Sequence, residues 1–203
     1  MSDSGPLTRA RVIETARAHL SREGADYLSL RGVARDLGVT APALYAYVQD
    51  KQELLAAVAT EHFERLVERF ESIDATDPLD RIRLVSRAYV DHARASPALF
   101  RLLFRYPPTP TQGLEAFPPA TRAFEVAAEA TRAAVAAGLL TVADPTRASF
   151  AMWAAVHGVA EVLLLGFEFD DAAADDLIDT VVETMLTGQG APGPTRPAPP
   201  EPV

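Results

Sequence analysis

The sequence contains no cysteine, which excludes disulfide bonds and thiolate metal sites. Lysine is nearly absent as well, because 18 of the 19 basic residues are arginine and Lys51 is the single lysine. Three common catalytic signatures are missing, namely G-x-S-x-G, H-E-x-x-H and the phosphate-binding G-x-x-x-x-G-K. We therefore predict no enzyme activity, no catalytic residues, no metal and no cofactor.

Basic residues are too few to balance the acidic ones, and the net charge is −9. The imbalance is uneven: residues 1 to 60 hold seven basic and seven acidic side chains, whereas residues 61 to 203 hold twelve and twenty-one. A neutral N-terminal part on an acidic body is compatible with DNA binding through few phosphate contacts. The first residues, MSDSGPLTRARV, lack the apolar core of a signal peptide, so we expect a cytoplasmic protein.

The stretch from Ser29 to Leu55 carries the clearest local signal. Its apolar residues at i, i+3, i+4 and i+7 predict a short helix that buries one face, formed by Leu30, Val33, Ala34 and Leu37. Gly38 follows the last of them and is a typical helix end, and Thr40 is a suitable N-cap for a second helix. Two short helices joined by such a turn form the helix-turn-helix unit that reads the DNA major groove.

The pattern L-x-x-V-A-x-x-L-G-V-x-x-P-x-L-Y-x-Y-V-x-x-K-x-x-L resembles the N-terminal domain of the tetracycline repressor (TetR) family. The resemblance implies two sets of DNA-binding residues. Those expected at backbone phosphates are Ser29, Tyr45, Tyr47 and Lys51. Those expected at base edges are Arg31, Ala41, Pro42 and Ala43, beside which Thr40 can add one hydrogen bond. The alanines depart from the family pattern, in which longer polar side chains are frequent, and Tyr47 stands where histidine is common.

Lys51 is also unusual independently of the family resemblance, because every other basic residue of the chain is arginine. An ammonium group is a compact charge with three donors and suits a single phosphate at the start of a helix. The alternative is a first-turn helix residue with no role in binding. We favour the phosphate contact because of the motif around it.

The remaining periodicity predicts an all-α fold in two domains. We expect a three-helix DNA-binding domain at 8–54, a connecting helix at 51–72, a ligand-binding and dimerisation domain at 77–188 and a disordered tail at 189–203. Three helices should begin at an N-cap followed by proline, at Asp77-Pro78, Ser96-Pro97 and Asp144-Pro145. Further helices are predicted at about 119–137, 150–166 and 171–187, the last closed by Gly188.

Residues 150–166 are apolar on all sides except for His157 and Glu161, so a helix here must be covered on all sides. The stretch is short for a membrane span and has no basic flank, so we prefer a helix packed between its own core and a second subunit. The string WAAVHG at 153–158 is similar to the Trp-x-x-x-His-Gly signature of one C-terminal domain class of TetR regulators. That resemblance implies a homodimer formed by the last two helices and a ligand cavity in the body.

Aromatic residues are concentrated in this second domain. The predicted ligand-binding residues are Phe100, Phe104, Phe117, Phe124, Phe150 and Trp153, together with His157. Each aromatic residue alone could be ordinary core, but together they favour an apolar cavity. His157 and Glu161 lie one helical turn apart and could simply satisfy each other, which we prefer to a ligand contact.

The sequence therefore predicts a homodimeric transcriptional regulator that binds a double-stranded DNA operator and is released from it by a small apolar or amphipathic effector. The alternative is a helical dimeric protein that binds a small molecule or a partner without specific DNA binding. Neither interpretation involves a membrane.

Overall fold

The computed structural model describes residues 5–24, 27–105, 118–167 and 169–190, and within these residues it contains only α-helices. The helices are α1 (Arg9–Glu23), α2 (Leu30–Leu37), α3 (Ala41–Leu44), α4 (Lys51–Glu71), α5 (Pro78–Ala95), α6 (Pro97–Arg105), α7 (Pro118–Ala136), α8 (Pro145–Leu163) and α9 (Asp171–Gly190). The all-α prediction is confirmed. None of the described helices has the length and apolar character that a membrane crossing requires.

Capping side chains set the starts of the N-terminal helices. The Ser29 hydroxyl accepts a hydrogen bond from the Gly32 amide at 3.0 Å and begins α2. Asp50 accepts from the Glu53 amide at 2.8 Å, while the Glu53 carboxylate accepts from the amide before Asp50 at 2.6 Å. This reciprocal arrangement resembles a capping box and begins α4. Gly38 ends α2 with φ at 70°, the left-handed conformation that glycine adopts without steric cost.

Acidic caps followed by proline begin two helices of the body. The Asp77 carboxylate accepts from two backbone amides at 2.8 and 3.0 Å, and Asp144 does the same at 3.0 and 3.1 Å. Helix α6 begins at Pro97, directly after Ser96. All three predicted helix starts are confirmed. Proline is tolerated there because it occupies a position whose amide has no partner within the helix.

Two apolar cores lie at opposite ends of α4. The head core joins α1, α2 and α3 to the first turns of α4, including Leu54 and Val58. The body core joins the last turns of α4, including Leu66 and Phe70, to α5, α7, α8 and α9. Helix α4 therefore runs without interruption from the head core to the body core.

Helix α6 belongs to both cores, which local patterns did not predict. Leu99 and Leu102 are almost fully buried in the head core, where α6 packs against α1 and α4. Phe100, between them, is buried in the body core. The two faces of one short helix thus contact the two parts of the molecule.

The last helices differ from the predicted bounds. Helix α8 ends at Leu163 instead of residue 166, and the chain turns at Gly166, whose φ is 86°. Helix α9 continues to Gly190, because Gly188 does not adopt a positive φ and so does not end it. The prediction that disorder begins at residue 189 is therefore wrong for its first two residues, and 191–203 lie outside the described part. The string GQGAPG at 188–193 has the form G-x-G-x-x-G, but its first three residues are the end of α9, whereas a dinucleotide site requires a preceding strand.

A ladder of ion pairs holds α9 against α5. Its pairs are Arg83–Glu183 at 2.5 Å, Arg87–Asp175 at 2.7 Å, Arg87–Asp179 at 2.6 Å and Arg94–Asp171 at 2.6 Å. Arg83 lowers the pKa of Glu183, which is mostly exposed. Exposed pairs of this kind each stabilise a protein little. The ladder accounts for four of the 21 acidic residues at 61–203.

Candidate DNA-binding surface and ligand site

The α2–turn–α3 unit lies on the surface of the head. Val33 and Ala34 bury one face of α2, and Leu44 buries α3, so these three side chains anchor the unit to the head core. The opposite side is open to solvent and carries Arg31 and Tyr45, the latter 59% exposed. This arrangement leaves the second helix free to enter a groove, as the helix-turn-helix geometry requires.

The residues expected to face base edges are mostly small. Arg31 is exposed in the first turn of α2, and its side chain makes no hydrogen bond or ion pair with the described residues. Ala41 and Ala43 are half-buried, and Pro42 is exposed. Thr40 occupies the N-cap position of α3, but its hydroxyl forms no capping bond. The surface therefore offers one long hydrogen-bond donor beside a group of methyl and methylene contacts.

The expected phosphate ligands differ in what they already contact. The Ser29 hydroxyl oxygen is an acceptor in its cap, so its proton remains available to donate to a phosphate. Tyr47 donates its hydroxyl proton to the Leu7 carbonyl oxygen at 2.8 Å, and this bond must break before Tyr47 can donate to a phosphate. Lys51 is half-buried at the first position of α4. These three sites remain predictions.

His19 fixes the packing of α1 against α2, although the sequence showed it only as an isolated histidine. Its side chain is almost fully buried, and Nδ1 lies 3.0 Å from the Asp36 carboxylate. His19 and Arg22 lower the pKa of Asp36 through their hydrogen bonds. A methyl group at Gly32 would lie 3.0 Å from the His19 ring, so a larger residue at this position would require the ring to move by a few tenths of an ångström. A two-helix contact of this kind has no local sequence signature.

In the body, aromatic rings form a continuous series from α7 across α8 to α5 and α6. Phe124 and Phe150 stack with centroids 4.3 Å apart, and Phe150 meets Trp153 edge-on at 6.4 Å. Trp153 lies 5.8 Å from His157, which lies 5.4 Å from Phe100. Phe150 and Trp153 remain 38% and 37% exposed, so ring surface is available to a ligand at this edge of α8.

Tyr89 is a polar partner of His157 that the sequence did not predict. The Tyr89 hydroxyl lies 3.0 Å from His157 Nδ1, whereas Glu161 Oε1 lies 4.0 Å from Nε2. Burial lowers the pKa of His157, and Glu161 partly offsets this effect. The expected pair of His157 and Glu161 is thus too long for a direct hydrogen bond. The 68 residues between Tyr89 and His157 explain why no spacing rule could connect them.

Two family profiles match this chain. "Bacterial regulatory proteins, tetR family" matches residues 12–58, and "Tetracyclin repressor-like, C-terminal domain" matches residues 82–187. The second match alone covers more than half of the sequence. The chain belongs to the TetR family.

Two proteins similar to this TetR protein are named as HTH-type transcriptional regulators. The HTH-type transcriptional regulator Rv1816 of Mycobacterium tuberculosis is 30% identical over 153 residues, which cover 70% of this chain and 63% of the relative. The match thus spans less than two thirds of that relative's length. The uncharacterized HTH-type transcriptional regulator Rv0681 of the same organism is 27% identical over 183 residues, covering 90% of this chain and 81% of its own.

Solved structures support the TetR fold over nearly the whole chain. A protein with unknown function from Rhodococcus sp. RHA1 has a TM-score of 0.82 and 26% identity, and the match covers 93% of this chain and 98% of that one. The TetR family regulator PfmR from Thermus thermophilus has a TM-score of 0.68 and 20% identity, covering 90% and 97%. The TetR family consists of transcriptional regulators, so the prediction that the chain is not an enzyme is confirmed.

Not every predicted ligand-site residue of this TetR protein can be placed. Phe117 and the side chain of Phe104 lie outside the described part of the chain. Phe100 is buried in the body core, and Phe124, Phe150, Trp153 and His157 share the series of rings described above. Within the described residues, no group of three or more His, Asp or Glu side chains could hold a metal ion.

Proposed function

We propose that this chain is a homodimeric transcriptional repressor that leaves its DNA operator when a small, largely apolar molecule occupies the body. The observation that carries the proposal is the shared membership of α4 and α6 in the two cores. A ligand that displaces α4 or α6 in the body therefore also moves a helix that supports the head. The operator, the effector and cytoplasmic location are parts of this proposal.

Helix α6 connects the proposed ligand site to the head core over a few residues. Phe100 contacts Tyr89 and His157 in the body, with ring centroids 5.7 and 5.4 Å apart. Its neighbours Leu99 and Leu102 are buried in the head core. A ligand can shift this equilibrium only by binding one arrangement of α6 and α4 more tightly than the other. We infer that contacts at His157 and Trp153 supply that difference.

The outer face of α8 supports the dimer. Ala151, Ala154, Gly158 and Val162 follow one side of the helix and are exposed. Small residues allow a second helix to approach closely, and an exposed apolar face on a soluble protein is typical of an interface. We propose that α8 and α9 pair with the same helices of a second copy. Such a dimer would present two heads to successive major grooves.

The body carries the Trp153-x-x-x-His157-Gly158 string, and we propose that it belongs to the C-terminal class with that signature. His157 and Trp153 of the string both contribute to the ring series, which supports a role in ligand binding. We also propose the functional division into a DNA-binding domain at 8–54 and a ligand-binding and dimerisation domain at 77–188.

A second candidate is a dimeric ligand-binding protein that does not bind DNA specifically. The small side chains at Ala41 and Ala43 favour it, as does the bond between Tyr47 and Leu7. Selection of bound fragments from sheared genomic DNA, followed by sequencing, separates the two. The repressor proposal predicts a recurring motif that Arg31→Ala weakens. Uniform recovery of all fragments would support the second candidate.

A further inference from the structure

Two histidine rings meet where α4 packs against α5. The ring centroids of His62 on α4 and His92 on α5 lie 4.1 Å apart, and the Nε2 atoms of both rings are buried without a hydrogen-bond partner in the described part of the chain. A buried polar atom without a partner costs free energy. The two rings therefore stabilise this helix contact less than apolar side chains of similar size would.

The pair lies between the two apolar cores. On α4, His62 comes one turn after Val58 of the head core and one turn before Leu66 of the body core. On α5, His92 comes one turn after Tyr89 of the body core. Separation of α4 from α5 at this level would change the position of the head relative to the body, because α4 runs through both cores.

Burial and neighbouring cations keep both rings uncharged. Burial is the largest cause that lowers the pKa of each ring. At His62, a charge on the other ring and the guanidinium groups of Arg65 and Arg17 lower the pKa further. At His92, Arg69 and Arg65 act in the same direction, and a hydrogen bond to the backbone of His62 opposes them without cancelling the shift.

The acidic side chains around the pair are already engaged by these arginines. The pairs are Glu14 of α1 with Arg17 and Arg65, Glu61 with Arg65, and Asp91 with Arg69. On the other helices that pack against α4, Arg101 of α6 bonds to the Leu164 carbonyl oxygen, and Arg122 of α7 pairs with Glu71. A proton added to either ring would thus face carboxylates that arginine already neutralises, together with the charge of the other ring.

We propose that the His62–His92 pair is an acid-sensitive switch, in which protonation separates α4 from α5 and lowers the affinity for the operator. Once the helices separate, water reaches the rings, and each takes up a proton near an ordinary pKa of about 6.5. Operator binding requires two heads at a fixed spacing, so a less firmly held α4 weakens it. This inference rests on the proposed function, because it assigns a form of regulation to the same repressor.

The size of the effect follows from proton linkage. Between pH 7.5 and pH 5.5, a ring that is protonated only in the separated arrangement favours that arrangement by about tenfold. Two rings favour it by up to about a hundredfold. Because the packed arrangement holds both rings neutral, it loses population as the pH falls below 6.5 and regains it as the pH rises.

The first measurement is fluorescence anisotropy with labelled DNA from upstream of the chain's own gene, at pH 7.5 and pH 5.5 and one salt concentration. The wild-type affinity should fall by about tenfold or more and recover on return to pH 7.5. The double variant His62→Leu/His92→Leu should keep most of its affinity at pH 5.5. So should His62→Gln/His92→Gln, which retains polar side chains that do not titrate. Glu129→Gln, at an exposed position of α7, is the control and should respond to acid as the wild-type protein does.

The second measurement needs no DNA, because the chain has one tryptophan and no cysteine. A dansyl group attached through Ser21→Cys, at an exposed position of α1, receives energy from Trp153 in the body. The efficiency of energy transfer, taken relative to the unlabelled protein at each pH, should change between pH 7.5 and pH 5.5. It should stay constant in the double variants. Circular dichroism should show the same helix content at both pH values, and unfolding at pH 5.5 would overturn the proposal.

The two measurements separate this inference from the proposed function. A chain whose energy transfer responds reversibly to acid, but which shows no preference for its own upstream DNA at pH 7.5, would refute only the repressor proposal. A chain that binds this DNA specifically and equally well at both pH values would refute only the switch. Constant energy transfer in the wild-type protein, or an acid response that survives in both double variants, would also overturn the switch.

Discussion

Two buried histidines in contact between α4 and α5 should make the fold sensitive to mild acid. The rings of His62 and His92 lie with centroids 4.1 Å apart, and both Nε2 atoms are buried without a hydrogen-bond partner in the described part of the chain. Burial lowers the pKa of His62 to about 3 and that of His92 to about 4. Nearby arginines, including Arg65 and Arg69, act in the same direction.

The direction of the effect follows from where each state binds protons. In the unfolded chain both rings take up a proton near the ordinary value of 6.5, whereas the folded chain resists protonation until about pH 4 and below. The free energy of unfolding therefore falls as the pH drops below 6.5. Below pH 6.5, each ring lowers the free energy of unfolding by about 1.4 kcal/mol per pH unit. The pair therefore lowers it by roughly 4 kcal/mol between pH 7.5 and pH 5. That is a large part of a typical stability of about 5–15 kcal/mol.

Urea unfolding followed by circular dichroism at pH 7.5, 6 and 5, at one protein concentration, measures this loss. The double variant His62→Leu/His92→Leu should lose most of the pH dependence, while His157→Gln, which removes a less buried ring, should keep most of it. Carboxylates with a lowered pKa, such as Asp36, lose their contribution to the free energy of unfolding only at lower pH, so they do not affect this comparison. If the double variant lost as much unfolding free energy between pH 7.5 and pH 5 as the wild-type protein, the reasoning would be refuted.

Three further predictions concern DNA binding and assembly. Lys51→Ala should weaken binding to all DNA sequences alike and lower the slope of log K against log salt by roughly one per head, and an unchanged slope would remove its phosphate role. Arg31→Ala should remove the preference for guanine at one position in a binding-site selection, with a loss of about 1–3 kcal/mol of discrimination between bases, because Arg31 alone among the expected base-facing residues can pair bidentately with guanine. Several strongly preferred positions that survive the substitution would show that other residues read the bases. Ala154→Arg should yield monomer by light scattering, while the matched control Ala133→Arg, at an exposed position of α7, should stay dimeric. A monomeric wild-type protein at micromolar concentration would contradict the proposed interface.

Local chemistry explains which parts of the fold were predictable. Asp50, Asp77 and Asp144 bond to amides within three residues of themselves, and Gly38 ends its helix through its own φ angle. Such features are determined by a few consecutive residues and can therefore be predicted from the local sequence. Gly188 shows the limit of this reasoning, because a glycine can end a helix but need not do so.

Contacts between distant residues account for what the sequence could not show. The Tyr89–His157 bond joins α5 to α8, and the contact between the His62 and His92 rings joins α4 to α5. Each depends on how the helices pack and not on spacing along the chain. The helix-turn-helix was predictable from its own periodicity, but the link from body to head through Phe100 required knowledge of both cores.

The most direct test of the proposed function is a fluorescence anisotropy titration with labelled DNA from immediately upstream of the chain's own gene, beside a scrambled duplex of equal length and composition. We predict saturable binding of two subunits per site, at least about a thousandfold tighter than binding to the scrambled duplex at the same salt concentration. Equal affinity for the two duplexes, together with absence of any motif in genomic selection, would contradict the claim that this TetR protein is a sequence-specific regulator.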